Sequence, residues 1–158
     1  MSTAAQNGES ARSSELSLQF STFFVGNLFF GIEVLKVQEV LRYQEMTSVP
    51  LAPRVIEGLI NLRGQIVTAI DMRRRLALPP RPAGETPMNM VIRSEEGAVS
   101  LLVDEIGDVL EVPRDCFESV PENVSGDYRD LLQGVYKLEG RLLLALSAER
   151  VLSTANSN

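Results

Sequence analysis

The sequence predicts an all-β fold in which two small barrels pack together, with only a few short helices. The first observation is an internal duplication, because GLINLRGQIVTAIDMRRRL at residues 58–76 has the same plan as GVYKLEGRLLLALSAERVL at residues 134–152. The second is that short apolar runs alternate with Gly- and Pro-containing turns, which is typical of small barrels. The third is the segment LALPPRPAGETP, whose Pro and Gly content marks a linker between the two copies.

The first predicted element is a β-hairpin near the N-terminus. Leu18, Phe20 and Phe24 belong to an apolar run before Gly26-Asn27, and an aromatic-rich apolar run follows. A two-residue Gly-Asn loop between such runs indicates a hairpin, with glycine at a position of positive φ. The second half repeats the hairpin, with strands at residues 90–93 and 98–103 around a turn at residues 94–97.

Apolar residues then recur at every third position in both halves. They are Val34, Val37 and Val40 in the first half and Val103, Ile106 and Val109 in the second. This spacing fits a short helical turn that runs into a strand, although periodicity alone does not decide. Each half continues with a proline-marked irregular segment, in which one short helix is expected at residues 53–57 and 127–132.

The duplicated segment itself predicts two strands and a helix. Residues 59–62 and 65–70 are expected to pair around an Arg63-Gly64 turn, since glycine adopts the left-handed conformation at little cost. Asp71 and Ser147 are expected to be the N-caps of the short helices MRRRL and AERVL. A copy of about 60–70 residues has only a marginal core, so the two copies should pack together. The prediction is two SH3-like barrels of five strands each.

These elements predict one ordered domain with a tail at each end. The domain spans residues 17–152, with a first subdomain at about 17–76, a linker at 77–88 and a second subdomain at about 89–152. Residues 1–16 are small and polar, which predicts a disordered N-terminal tail, and residues 153–158 form a C-terminal tail. The tail lacks the apolar region of a signal peptide, and no apolar stretch is long enough to span a membrane. We therefore expect a cytoplasmic protein without membrane insertion.

Composition argues against nucleic-acid binding and against catalysis. The net charge of −6 would repel phosphates over most of the surface. The chain contains no histidine, which excludes a Ser-His-Asp triad and any His-ligated zinc site. The lone Cys116 has no histidine to activate it and is expected to be a structural thiol. Phosphate-binding glycine loops are also absent, so no catalytic residue, metal site or cofactor is predicted.

Three linked motifs resemble the CheW-like family, the coupling proteins of bacterial chemotaxis. They are NLRG followed by an apolar strand and Asp-x-Arg, the upstream GIEVLKVQEVL, and SVPLAPRVIEGLINLRG, which joins the two. The resemblance extends over about residues 18–152. It implies two interlocked five-stranded barrels and a non-catalytic adaptor, which bridges the cytoplasmic tips of chemoreceptors to the regulatory domain of a histidine kinase. It also implies recruitment to membrane receptor arrays and ring assembly with the kinase or with other copies.

The resemblance also implies two contact surfaces. The kinase-facing surface corresponds to Glu39, Gly58 and Arg63, with Asn61 shaping the adjacent turn. The groove for the receptor's helical hairpin corresponds to the apolar side chains Val34, Val37 and Ile106. From the residues alone the same positions have plainer interpretations. The apolar residues could be core, the charges could be solvated, and the recurrence of Gly58 at Gly134 favours a backbone reason such as a bulge or a close approach.

Two other functions remain open from the sequence. The first is an adaptor of the same family in another kinase pathway, such as surface motility or gene regulation, because the same barrels would serve it. The second is a small enzyme or ligand-binding barrel, which a pocket with convergent polar groups would favour.

Overall fold

A computed structural model describes residues 16–124 and 128–156, and β-strands make up most of its regular secondary structure. The strands in chain order are β1 Ser17–Val25, β2 Leu28–Glu33, β3 Val37–Leu41, β4 Ile56–Leu62, β5 Gln65–Asp71, β6 Met88–Ser94, β7 Gly97–Val103, β8 Glu105–Pro113, β9 Phe117–Glu118, β10 Leu132–Leu138 and β11 Arg141–Leu146. The helices are α1 Met72–Arg75 and α2 Ala148–Asn156, with 3₁₀ turns at Val34–Lys36, Arg114–Cys116 and Arg129–Leu131.

The strands form two sheets, and each sheet contains strands from both halves of the sequence. The six-stranded sheet has the order β8-β1-β2-β11-β10-β9, and the five-stranded sheet has the order β3-β6-β7-β5-β4. The hairpin β1–β2 therefore pairs with the second half, through the parallel contact of β2 with β11. Likewise, the hairpin β6–β7 joins the first half, through the parallel contact of β7 with β5. The two halves thus exchange their first hairpins.

Each sheet closes into a small barrel through the segment that follows one of its edge strands, β3 or β8. In the five-stranded sheet, Thr47 comes after β3 and forms a bridge with Leu59 of β4, with N–O distances of 2.9 and 2.8 Å. In the six-stranded sheet, β8 bends through the 3₁₀ turn at Arg114–Cys116 into β9, which pairs with β10. The predicted all-β class with two SH3-like barrels is confirmed, and one of the two sheets has six strands where five were predicted.

The largest apolar cluster contains side chains from both barrels. Phe23, Phe30 and Val135 of the six-stranded sheet belong to the same buried cluster as Met90 and Leu101 of the five-stranded sheet. Each barrel also has a smaller cluster of its own, around Phe20 and Tyr136 in one and Ile60 and Leu102 in the other. Because the two barrels share this cluster, each is stabilised by a larger apolar core than it could form by itself.

One carboxylate connects several segments at the crossing between the sheets. Asp104 lies between β7 and β8, and its carboxylate accepts hydrogen bonds from the Gly26 N–H at 2.7 Å, from Arg73 Nη2 at 2.7 Å and from Arg81 Nε at 3.0 Å. Burial raises the pKa of Asp104, but hydrogen bonds from Arg73 and from Gly26 outweigh it and hold the pKa below its usual value. The first hairpin, helix α1 and the linker are therefore tied to one point.

Several local predictions can be compared directly with these elements. The turns at Gly26-Asn27 and Arg63-Gly64 are confirmed, and Asp71 caps α1 by accepting a hydrogen bond from the Arg73 N–H at 2.9 Å. Ser147 caps α2 in the same way, accepting from the Arg150 N–H at 3.2 Å.

Two predictions about helical turns were wrong in part. The apolar spacing of three corresponds to a 3₁₀ turn before β3 in the first half, but in the second half it runs from the end of β7 into strand β8, where the register against β1 shifts. The helix expected at residues 53–57 is a turn, because the Ile56 N–H bonds to the Pro53 carbonyl and β4 begins at once. The second expected helix is reduced to the 3₁₀ turn Arg129–Leu131, and its position 127 is outside the described residues.

The predicted subdomain boundaries describe the two copies of the sequence repeat and not the strand composition of the two barrels. The linker at 77–88 separates the two copies along the chain, although both sheets combine strands from either side of it. Helix α2 continues past residue 152, where the predicted domain ends, to Asn156. Residues 1–15, most of the predicted N-terminal tail, are outside the described residues. In residues 16–124 and 128–156, no helix is long and apolar enough to cross a membrane.

Candidate protein-interaction sites

Glu39 and Arg63 form a two-point ion pair at one end of the five-stranded barrel. The Arg63 guanidinium donates from Nη1 to Glu39 Oε2 at 2.8 Å and from Nη2 to Glu39 Oε1 at 2.5 Å. The Arg63 side chain remains 72% exposed, whereas that of Glu39 is 19% exposed. Glu39 lies on β3 and Arg63 in the β4–β5 turn, so the pair joins the two edge strands of this sheet. The hydrogen bonds from Arg63 hold the pKa of Glu39 below its usual value.

The turn that carries Arg63 has an unusual backbone for an arginine. Arg63 has φ 51° and Gly64 has φ 85°, which is the pattern of a type I′ hairpin turn. Asn or Gly normally occupies the first of these positions, because a side chain in the left-handed region is strained. Asn61 supports the turn by accepting a hydrogen bond from the Gly64 N–H at 2.9 Å. This hydrogen bond supports the predicted role of Asn61 in shaping the turn.

Gly58 is buried beneath the segment that closes the five-stranded barrel. A Cβ atom at this position would lie 2.7 Å from the Thr47 carbonyl oxygen and 3.1 Å from Met46 Cβ. Gly134 has the same environment in the other barrel, since a Cβ atom there would collide with the Phe117 ring and lie 2.9 Å from the Glu118 carbonyl oxygen. A register shift accompanies each glycine. The backbone explanation of this repeat is therefore confirmed, while the kinase-contact role of Gly58 stays a prediction.

The three apolar residues predicted for the receptor groove are all half-buried. Val37 begins β3 opposite Ile92, and Ile106 lies on β8 opposite Phe23. Both pack against the large shared cluster, so part of each side chain belongs to the core. Val34 begins the 3₁₀ turn that precedes β3.

The structure adds two exposed apolar side chains near these positions in the sequence. Leu35, between Val34 and Val37, is 84% exposed, and Val109, which follows Ile106 on β8, is 57% exposed. Val109 belongs to the apolar spacing found in the sequence, and a local irregularity of β8 lies between it and Ile106. At this irregularity the buried Thr22 hydroxyl donates to the Asp108 carbonyl at 2.5 Å, and a Cβ at Gly107 would meet the same hydroxyl at 2.5 Å.

A separate open groove of about 860 Å³ lies against the five-stranded barrel. Residues from the Val34–Lys36 turn, strand β5, the β6–β7 hairpin and helix α2 line it. Its cationic groups already have partners. Lys36 Nζ is 2.7 Å from Glu149 Oε1, and Arg93 Nη1 donates to the carbonyls of Leu35 at 3.0 Å and Val37 at 2.9 Å.

No cluster of metal-ligating side chains occurs in the part of the chain that the structure describes. Cys116 is half-buried and packs beside the cluster around Phe20 and Tyr136, in keeping with a structural thiol.

Comparisons with known proteins agree in family and in fold. The profile of the CheW-like domain matches residues 19–156. The chain is 34% identical over 135 residues to the chemotaxis protein CheW of Bacillus subtilis, covering 85% of this chain and 86% of that protein. It is 32% identical over 136 residues to the chemotaxis protein CheW of Klebsiella aerogenes, covering 86% and 82%. The crystal structure of the scaffolding protein TtCheW from Thermoanaerobacter tengcongensis superposes with a TM-score of 0.78 at 22% identity, covering 86% of this chain and 92% of that one.

The double-barrel fold together with the family match and the chemotaxis relatives defines a non-catalytic adaptor, a scaffold protein of the chemotaxis class. The chain belongs to the CheW-like domain family.

Proposed function

We propose that this protein couples the cytoplasmic tips of chemoreceptors to the regulatory domain of a chemotaxis histidine kinase. Two separate surfaces serve the two partners. The end of the five-stranded barrel with Glu39, Asn61 and Arg63 contacts the kinase, and the surface of Val34, Val37 and Ile106 contacts the receptor's helical hairpin. The protein acts in receptor arrays at the membrane, where like barrels of adaptor and kinase meet end to end in rings.

The Glu39–Arg63 pair is the observation that carries the kinase side of this proposal. Arginine is enriched in interface hot spots, and its planar fork is held here in one orientation by both carboxylate oxygens. Because Arg63 is mostly exposed in a strained turn, the fold maintains a charged group where the backbone would favour glycine or asparagine. Charges fixed in this way can set the register and choice of a partner.

The receptor side rests on exposed apolar area next to half-buried residues. An apolar surface suits the apolar stripe of a helical partner, and Leu35 extends this surface beyond Val34 and Val37. Small patches of this kind give interfaces at the low end of specific sizes, so we expect micromolar affinities that multivalency strengthens in an array. Two relatives above 30% identity, from Bacillus subtilis and Klebsiella aerogenes, are chemotaxis proteins, which favours this pathway over a paralogous one.

Replacing Arg63 with alanine tests the kinase surface. We expect Arg63→Ala to weaken binding to the kinase regulatory domain at least tenfold in calorimetry, because the fixed guanidinium is lost. Binding of a receptor-tip fragment by the same variant should be unchanged. Glu139→Ala, which removes an exposed charge from the corresponding turn of the second half, is the matched control.

A charge exchange separates a contact role from an internal one. The double variant Glu39→Arg with Arg63→Glu retains an ion pair between β3 and the β4–β5 turn, so it should keep the melting temperature of the wild type. It presents the opposite charges to the partner and should not bind the kinase domain. Unchanged kinase affinity in both variants would remove this surface from the proposal.

A further inference from the structure

The 3₁₀ turn at Val34–Lys36 presents the most exposed apolar side chain of the proposed receptor surface. Leu35 is 84% exposed, whereas Val34 and Val37 on either side of it are half-buried. The turn is closed by the bond of the Val37 N–H to the Val34 carbonyl. Such a short turn leaves the carbonyls at its C-terminal end without partners inside the turn. The orientation of Leu35 therefore depends on groups outside the turn.

Arg93, near the end of β6, supplies the missing partner. Its Nη1 donates to the Leu35 carbonyl at 3.0 Å and to the Val37 carbonyl at 2.9 Å. Because the donor is a guanidinium, both hydrogen bonds are charge-assisted. The ion pair of Lys36 with Glu149 is a second attachment, but both side chains are exposed and exposed pairs stabilise little. Arg93 is therefore the stronger of the two attachments.

The second half of the sequence has a different residue at the position of Arg93. The correspondence follows from two equivalent strand pairs, Ile92 with Val37 and Phe23 with Ile106. The next residue along the hairpin strand is Arg93 in one barrel and Phe24 in the other. Phe24 pairs with Glu105, so β8 is already a strand where the first half has the 3₁₀ turn. The turn thus occurs where an arginine can bond the carbonyls, and not where phenylalanine takes its place.

The residue that corresponds to Leu35 in the second half has the opposite orientation. It is Asp104, whose side chain is only 16% exposed. Its carboxylate accepts hydrogen bonds from the Gly26 N–H and from Arg73. Of these two equivalent positions, only the one held by Arg93 presents an apolar side chain to a partner.

We propose that Arg93 is a positioning residue of the receptor surface, where it fixes the Val34–Lys36 turn so that Leu35 projects toward the receptor's helical hairpin. This inference rests on the receptor surface of the proposed function. Leu35 makes the apolar contact, and Arg93 acts through it. A contact side chain that is already held in place loses less freedom on binding. Since Arg93 lies on the exchanged β6–β7 hairpin, the pairing of β6 with β3 brings it to the turn.

Calorimetry of the full chain with a receptor-tip fragment tests this role. Arg93→Ala should weaken binding roughly fivefold to tenfold, because the turn is no longer held in its binding conformation. Arg93→Lys should bind within about twofold of the wild type, since an ammonium group can donate to both carbonyls. Neither variant should change the affinity for the kinase regulatory domain.

Arg150→Ala is the matched control. Arg150 Nη1 donates to the carbonyls of Asp130 at 3.4 Å and Leu132 at 2.9 Å, around the 3₁₀ turn Arg129–Leu131. The variant therefore removes the same kind of contact from a turn that carries none of the proposed receptor residues. Receptor binding should be unchanged in Arg150→Ala.

Amide hydrogen exchange in the unbound protein measures the turn directly. The Val37 N–H closes the turn, so its exchange should be about fivefold faster or more in Arg93→Ala. Exchange at the same amide should stay close to the wild-type rate in Arg93→Lys. These rates report on the turn and are independent of any partner.

A double variant shows whether Arg93 acts through Leu35. Leu35→Ala should weaken receptor binding roughly tenfold, since an exposed apolar contact is lost. Adding Arg93→Ala to Leu35→Ala should weaken binding no further, because the side chain that Arg93 positions is already absent. A general structural role of Arg93 would instead lower the affinity in both backgrounds.

The failure of this inference can be told apart from the failure of the receptor surface. Wild-type receptor affinity in both Leu35→Ala and Val37→Glu would overturn the receptor surface and the role of Arg93 with it. Weak binding by Leu35→Ala alongside wild-type affinity of Arg93→Ala would overturn the positioning role alone. Additive losses in the double variant, or unchanged exchange of the Val37 amide in Arg93→Ala, would also overturn that role.

Discussion

Positive φ angles at residues other than glycine have two different causes in this protein. In the described residues they occur at Leu51, Arg63 and Ala77. Ala77 follows the end of α1, where the N–H groups of Ala77 and Leu78 bond back to the carbonyls of Arg74 and Arg73 at 3.1 and 2.7 Å, so its angle belongs to a helix cap. Leu51 and Arg63 cap no helix, and both project into solvent. At these two residues the angle belongs to a turn, between Val49 and Ala52 in one case and between β4 and β5 in the other.

Val37 tests whether a half-buried residue belongs to the core or to the receptor surface. We expect Val37→Glu to abolish binding of a receptor-tip fragment while the protein remains folded, because the exposed part of the side chain meets the receptor. Circular dichroism, thermal melting and a binding assay check this together. Val40→Glu, on the exposed side of the same strand, shows whether β3 tolerates a new charge. An unfolded Val37→Glu alongside a folded Val40→Glu would make Val37 a core residue.

Turns and helix caps formed by neighbouring residues were predictable from the sequence, but ion pairs between residues far apart in the chain were not. The Arg63-Gly64 turn and the Asp71 cap follow from residues adjacent in the chain. The Glu39–Arg63 pair joins strands whose contact depends on how the whole barrel closes. The positive φ and the full exposure of Leu51 were not predicted, because leucine is not a residue typical of such turns.

The elements that close the two barrels share one structural device. In each barrel a glycine on a strand with a register shift allows another segment to cross at very short range. Thr47 crosses at Gly58, and β9 crosses at Gly134. The sequence showed that the two glycines correspond, but the crossing segments differ in sequence. The repeat therefore predicted that a backbone constraint exists without identifying the segment that imposes it.

Replacing Gly58 with alanine measures how tightly this crossing is packed. We expect Gly58→Ala to destabilise the protein by about 1–3 kcal/mol, because the nearest atom to the new methyl group is a backbone oxygen that cannot rotate away. Urea denaturation of the variant and the wild type gives the difference in the free energy of unfolding. An unchanged midpoint would mean that the β4 backbone moves freely away from Thr47.

The failed helix prediction at residues 53–57 shows the limit of element-scale reasoning. The segment after Pro53 contains residues compatible with a helix, but the Asp71 N–H bonds to the Val55 carbonyl at 2.8 Å. This bond to the end of β5 holds the segment in an extended path into β4. A tertiary contact has overridden local propensity, as it often does in short segments.

At the scale of the whole molecule, the repeat predicted the number of barrels but not their composition. A duplicated strand order is compatible with two self-contained barrels and with two barrels that exchange hairpins. The parallel pairs β2–β11 and β5–β7 join distant parts of the chain, and no local pattern specifies such pairs. The shared core and the Asp104 connection are consequences of the exchange that only the folded structure reveals.

Asp104 should make the stability of the whole fold sensitive to acid. Its pKa is lower in the folded state than the unfolded value of about 3.9, so its stabilising contribution is complete above that pH and is lost as the pH falls through the folded pKa. Asp104→Asn should destabilise the protein by about 1–3 kcal/mol at neutral pH, because hydrogen bonds to a charged acceptor are lost.

Melting at a series of pH values checks this prediction. The variant should lose less stability than the wild type between neutral pH and pH values below about 4. Asp108→Asn, the same change at an exposed position on β8, is the control and should follow the wild-type profile. Parallel pH profiles for Asp104→Asn and the wild type would contradict the assigned role of the carboxylate.

The exchanged hairpins also set an order for folding during synthesis. Strands β3, β4 and β5 leave the ribosome before β6 and β7, the strands that complete their sheet. The β1–β2 hairpin waits longer still, because its partner β11 ends only at Leu146. A nascent chain of this protein therefore carries unpaired strand edges until β11 has been synthesised, and during that interval it is most exposed to mispairing with its neighbours on the same messenger.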